Sequence, residues 1–128
     1  MDTSDVRPTV KLDLGGQQHA VSPLQIRVLR LLALFPSKAA MAAYFGVQRS
    51  QLEEWARGET PAGDLAAQLL DLSYVWERAT EHQPDDAVRV WLTSANRLLE
   101  ERPLDAVASG RVAEVIAAWD AYMEGSFV

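Results

Sequence analysis

The sequence contains no cysteine. That excludes a disulfide scaffold, thiol catalysis and zinc sites built on thiolates, and it suits a reducing cytosol. Histidine is nearly as scarce. His19 and His82 lie far apart without metal-ligand spacing, so both read as solvated surface side chains and no metal site is expected. Long apolar runs are missing too. The longest, Ala39–Phe45, is far short of a bilayer span, and no charged-then-apolar signal peptide opens the chain, so a cytoplasmic protein without membrane contact is expected. Positive charge is in deficit, with 12 basic against 18 acidic residues and a formal charge of −6, which argues against bulk, non-specific nucleic-acid binding. Catalysis has little footing. The pairs Glu53-Glu54, Asp85-Asp86 and Glu100-Glu101 are adjacent, so on a helix each pair points about 100° apart and cannot easily share a substrate. Gly15-Gly16 lacks the rest of a phosphate or dinucleotide loop. No catalytic residue, no cofactor and no enzymatic role are expected.

What the chain does have is a core. Its 128 residues are 48% apolar with four tryptophans, enough for one domain or two very small helical ones. Charge is unevenly placed: Met1–Thr80 carries 8 basic and 9 acidic residues, Glu81–Val128 only 4 against 9. Within Leu24–Gly58 the sign reverses, with Arg27, Arg30, Lys38, Arg49 and Arg57 facing only Glu53 and Glu54. One locally basic segment sits inside an acidic protein.

Residues 1–21 hold most of the non-helical signals: Pro8, Gly15-Gly16 and the alternation Val10, Leu12, Leu14. They read as a flexible arm with at most one short strand. From Ser22 onward the pattern is helical. Ser22 caps and Pro23 takes the first position of a helix through Phe35, with Leu24, Val28, Leu31 and Leu32 at helical spacing. Pro36 stops it and Ser37 caps Lys38–Tyr44. Ser50 and Glu53 form an S-x-x-E capping box for a third helix that ends at Gly58. Thr60-Pro61 opens a fourth, whose stripe Leu65, Leu69, Leu72, Trp76, Ala79 recurs at four and three. The HQPDD stretch at His82–Asp86 is the clearest break, so a boundary is placed between residues 22–82 and 83–128. Beyond it, Asp85 or Asp86 caps Ala87–Leu92, and Pro103 starts a short helix stopping at Ser109-Gly110. A last helix carries Val112, Val115, Ile116, Trp119 and Met123 on one face and ends at Gly125. The expectation is all-α, with about seven helices. The surplus of the Leu65–Trp76 and Leu24–Phe35 stripes predicts a homodimer through the N-terminal half.

The stretch from Ser37 to Arg57 has the form of a helix-turn-helix: a small-residue helix, a turn at Gly46 and a second short helix. Val47, Leu52 and Trp55 anchor that second helix. Gln48, Arg49, Ser50, Gln51 and Arg57 are left outside as candidate DNA contacts, since Arg pairs with guanine, Gln with adenine, and a helix N-terminus holds phosphate. An ordinary helical hairpin with a polar face is the bland alternative, and Glu53 and Glu54 count against DNA contact because carboxylates near phosphates repel.

With its C-terminal half added, the chain resembles the MbcA/ParS/Xre-type antitoxins, which pair an Xre-like helix-turn-helix with a C-terminal toxin-binding domain. The resemblance rests on FGVQRSQLEEWARGETP and on WLTSANRLLEERPLDAVASGRVAEVIAAWDAYMEGSFV. Within the second stretch Trp91, Asn96, Leu99, Pro103, Gly110, Gly125 and Phe127 follow the order of the family. It covers about Lys38–Val128. Two departures stand out: Ala95 where many relatives have proline before the Asn, and Glu100-Glu101 where many have glycine in the turn before Pro103. The resemblance implies a partner toxin of the RES-domain class, an enzyme that consumes NAD⁺. Its active-site entrance would be obstructed by the C-terminal region of this chain, and the helix-turn-helix would repress the shared operon by binding operator DNA.

Part of this has independent footing. An acidic half suits a basic partner. Trp91 and Arg97 are residue types favoured at interfaces, and Gly-Ser-Phe-Val leaves two apolar residues beyond a helix stop. We therefore assign toxin contact to Trp91, Asn96 and Arg97 as a docking surface and to Gly125, Ser126, Phe127 and Val128 as the inhibitory end. Trp119, on the apolar stripe, reads as core. Phe127 as a core residue is the alternative for the tail. A stand-alone helix-turn-helix repressor whose C-terminal half only dimerises is the alternative for the whole.

Overall fold

The computed structural model describes residues 10–14, 17–21 and 23–125. Among these, a two-stranded hairpin precedes seven helices, and the chain is all-α in class. The strands are β1 (Val10–Leu14) and β2 (Gln17–Val21), antiparallel, with Val10 opposite Val21 and Leu14 opposite Gln17. At most one strand was expected here. The second, QQHAV, has no alternation of its own and exists by pairing with the first. Contacts divide the chain into two compact units, Met1–Ala62 and Gly63–Val128.

Three helices make up the first unit beside the hairpin: α1 (Pro23–Leu31), α2 (Lys38–Phe45) and α3 (Arg49–Ala56). α1 stops four residues before Phe35. Tighter i→i−3 bonds from Ala33 to Arg30 and from Leu34 to Leu31 replace the α pattern ahead of Pro36, which disfavours helical backbone in the residue preceding it. Ser37 then caps α2, its Oγ accepting from the Ala40 amide at 3.0 Å. At the far end Gly46 takes the left-handed conformation (φ 69°), which lets its own amide reach Ala43 and that of Val47 reach Ala42. The same device closes α3, where Gly58 (φ 111°) lets Glu59 donate to Glu54. The expected capping box does not form. Gln48, in extended backbone, is the N-cap of α3, so Ser50 already lies within the first helical turn and its side chain caps nothing. Val28, Leu31, Met41, Phe45, Leu52 and Trp55 are buried, with Phe45 and Trp55 meeting edge to face at 5.8 Å. Gln25 Nε2 donates to the Ala56 carbonyl at 2.8 Å and ties α1 to the end of α3.

The second unit comprises α4 (Asp64–Thr80), α5 (Asp85–Thr93), α6 (Pro103–Ala108) and α7 (Val112–Gly125). The boundary expected at residue 82 therefore shifts to Ala62–Gly63: α4 packs on α5, α6 and α7. Of its stripe, Leu69, Leu72, Trp76 and Ala79 are buried in this unit and Leu65 is half-buried, while on the first unit's stripe Leu24, Leu32 and Phe35 stay half-buried. Arg78 braces α4 against α7 through Asp120, with Nη2 at 3.0 and 3.1 Å from its two oxygens. Neither Asp85 nor Asp86 caps α5. Pro84 is the N-cap, and both carboxylates sit in the first turn, where the helix dipole favours negative charge. Pro103 opens α6 as expected. Gly125, expected as a stop, is the last residue of α7, and Ser126, Phe127 and Val128 lie outside the described residues.

Candidate functional site

Two surfaces carry the residues singled out from the sequence, one in each unit. In the first, α3 is held by Leu52 and Trp55, both buried, with Val47 half-buried just before it. This leaves Gln48, Arg49, Ser50 and Gln51 exposed together around the N-terminal turn. Arg57 is also exposed, but at the opposite end of the helix, so the five candidates form two groups. Arg49 is drawn back along its own helix: its Nε lies 3.3 Å from Glu53 Oε1.

In the second unit an aromatic cluster joins α5 to α7. Trp91 meets Trp119 edge to face at 5.0 Å, and Tyr122 lies 6.3 Å from Trp91 and 5.7 Å from Trp119. Trp119 is buried, as expected of core. Trp91 is half-buried and Tyr122 is exposed, so the cluster surfaces on one side. There it floors a groove of about 390 Å³ between Trp91, Ala118 and Tyr122 on one hand and the loop Asn96–Leu98 on the other.

That loop is tightly organised. Asn96 Oδ1 accepts from the amides of Leu98 (2.9 Å) and Leu99 (3.2 Å), while its backbone bridges to Glu101. Glu100 occupies positive φ (62°), alone among the described non-glycine residues. Leu99 plugs into the core, and Arg111, just before α7, fastens the assembly, donating Nη1 to the Leu99 carbonyl (3.1 Å) and to Glu101 (2.6 Å) and Nε to Glu114 (2.8 Å). Hydrogen bonds to Glu114 first and Glu101 second hold the Arg111 guanidinium above its ordinary value. The same contact holds Glu114 below the usual carboxylate range.

Trp91, Asn96 and Arg97 are thus brought together at one groove, with Asn96 spending its side chain on the loop's own amides. Gly125 sits at the end of α7, apart from the loop in sequence. Leu98 was missed. The signal lay in the Leu98-Leu99 pair, since a tight loop turns only one of two adjacent leucines inward. Arg111 was missed as well, because nothing in the sequence ties it to a loop ten residues earlier. Among the described residues no three His, Asp or Glu side chains gather closely enough to hold a metal ion, and no helix is long and apolar enough to cross a membrane. His82 is exposed, 3.9 Å from Glu81.

This fold is that of an all-α antitoxin: it matches a chain of the M. tuberculosis MbcT–MbcA toxin–antitoxin complex with a TM-score of 0.69 at 29% identity, over 84% of this chain and 100% of that one. No family model matches the sequence. The mycobacterial cidal antitoxin MbcA of Mycobacterium tuberculosis and its counterpart in Mycobacterium bovis are each 42% identical to it over 76 residues, which is 58% of this chain and 67% of theirs. The chain belongs to the MbcA antitoxin family.

Proposed function

We propose that the chain is the antitoxin of a type II pair, a cytoplasmic protein without enzymatic activity of its own. Its second unit binds and blocks a RES-domain, NAD⁺-consuming toxin, and its first unit represses the operon of the pair. The observation that carries this is the match, over 84% of the chain, to a protein whose solved structure is a complex with a toxin. What the second unit offers such a partner is an exposed groove floored by Trp91 and Tyr122, residue types that concentrate binding energy. Of the two units, this one is the more acidic, with five basic against twelve acidic residues. A basic partner surface would be drawn to it. In this reading Trp91, Asn96 and Arg97 belong to the docking surface, and Gly125–Val128, carried on α7, forms the inhibitory end.

For DNA the support is α2, Gly46 and α3 in sequence, with Gln48, Arg49, Ser50 and Gln51 exposed at the start of the second helix and Arg57 at its end. A homodimer would present two such helices to half-sites of one operator. The stand-alone repressor reading leaves the groove of the second unit without an occupant.

Co-purification with the product of the adjacent reading frame tests the assignment. The expected result is a stable complex in which NAD⁺ is spared and growth continues. An adjacent product that neither binds nor consumes NAD⁺ rules out the toxin reading, and a salt-sensitive promoter complex without a toxin partner establishes the repressor instead.

A further inference from the structure

The loop between α5 and α6 exposes a leucine that the fold has ample means to hide. Leu98 is 70% exposed, the most of any large apolar residue described, while Leu99 beside it is 3% exposed. A mobile loop would show such a residue only part of the time, but this one is fixed from three directions. Asn96 accepts the amides of Leu98 and Leu99, Glu100 adopts the left-handed backbone, and Arg111 holds the Leu99 carbonyl and Glu101. Positive φ in a residue with a side chain is disfavoured, and such conformations cluster where a binding element is held ready in advance.

The neighbouring charge points the same way. Arg78, Arg89, Arg102 and Arg111 each meet a carboxylate inside this unit: Asp120, Asp86, Asp105 and Glu101 respectively. Arg97 is exposed and, among the described residues, meets none, although acidic residues outnumber basic ones twelve to five around it. A second copy of the chain would bring two strongly acidic units together at this surface, so like charge disfavours self-association there.

We propose that Arg97-Leu98 is a preformed docking anchor for the toxin, Leu98 entering an apolar pocket of the toxin surface and Arg97 pairing with a carboxylate on the rim of that pocket. Glu101 and Arg111 are positioning residues that hold the anchor, and Asn96, itself at the groove, orders it through the amides of Leu98 and Leu99. The inference rests on the antitoxin reading above and adds to it the chemistry of the complementary surface. Ordering the loop before encounter removes an entropy cost that a floppy loop would meet on binding.

The test is titration of the full chain with the RES-domain toxin from the adjacent reading frame, with association and dissociation rates followed separately. Leu98→Ala is expected to weaken binding by about 10- to 100-fold, mainly through faster dissociation, as for a buried interface anchor. Arg97→Ala is expected to lose about 3- to 10-fold and part of the salt sensitivity of association. Arg111→Gln keeps Leu98 but loosens it. In that background the further loss from Leu98→Ala should shrink to about threefold or less, the non-additivity expected of an anchor and its support, and not of a residue that only stabilises the fold. If the unaltered chain binds toxin while Leu98→Ala and Arg97→Ala stay within about twofold of it, the anchor is wrong and the antitoxin reading stands. If the unaltered chain does not bind, both fall. A Leu98→Ala effect on self-association instead assigns the loop to a second copy, and a sharp drop in melting temperature assigns Leu98 to the protein's own core. Either overturns the proposal.

Discussion

Single residues in this protein reveal what the loop between α5 and α6 costs to build. Glu100 holds φ at 62°, a region that costs an L-residue roughly 1–2 kcal/mol and glycine almost nothing. Its side chain is exposed, so Glu100→Gly should raise stability by about 0.5–1 kcal/mol, read as a higher denaturant midpoint at unchanged slope. The opposite change applies at Gly46, also left-handed at φ 69°, where an added Cβ would meet nothing within 4 Å. Backbone strain alone then sets the loss for Gly46→Ala, about 1–2 kcal/mol, and a much larger loss would reveal a packing contact absent here. Carboxylates add a pH dependence. Arg111 holds Glu114 below the usual range and Arg102 does the same for Asp105, both through hydrogen bonds. Folded values lower than unfolded ones mean stability is whole above the ordinary carboxylate range, about pH 4–5, and is lost as pH falls through the depressed values. The melting temperature should therefore drop on acidification, and drop less in Glu114→Gln. Glu114 is largely exposed and Asp105 partly so, so added salt should flatten the descent.

At the scale of elements, the sequence was most legible where one residue type has one job. Ser37 before a helix, Gly46 and Gly58 after one, Pro103 at the first position and Trp119 on an apolar stripe all behave as their chemistry dictates. Illegible features depended on distant partners. QQHAV becomes a strand only by pairing with β1, the Leu69–Ala79 stripe looks the same whichever unit it faces, and the Arg111 clamp spans separate elements. Ser50 failed as a cap because the turn after Gly46 places Gln48 in extended backbone first, which no short motif records. At the candidate site Trp91, Asn96 and Arg97, all named from the sequence, line one groove, with Asn96 also ordering the loop, while the exposed Leu98 beside them went unnoticed. For α3 the Arg49–Glu53 pair sharpens the DNA expectation. Arg49→Ala should weaken operator binding by about 1–3 kcal/mol. Glu53→Gln, which frees Arg49 and removes a carboxylate near phosphate, should strengthen it. Equal operator affinity in both variants, with helicity intact by circular dichroism, would move the contact surface off α3.

For the whole molecule the division at Ala62–Gly63 separates charge more sharply than the sequence halves do. The first unit carries seven basic and six acidic residues, the second five and twelve. A near-neutral unit with exposed cations on α3 is suited to phosphate, and an acidic unit to a basic protein, so the two proposed activities should separate under mutation. The tail offers the cleanest separation. Under the proposed function Ser126–Val128 obstructs the toxin, while docking rests on the groove and DNA contact on α3. Within the described part of α7, Val115, Ala118 and Trp119 are buried. Deleting Ser126–Val128 should therefore leave the melting temperature within a few degrees and operator binding unchanged. Toxin affinity should fall by about one to two orders of magnitude, the worth of burying one Phe side chain, with NAD⁺ loss and growth arrest returning on co-expression. A truncated form that stays folded and still neutralises would assign inhibition to the docking surface alone. One that melts early would place Phe127 in the protein's own core.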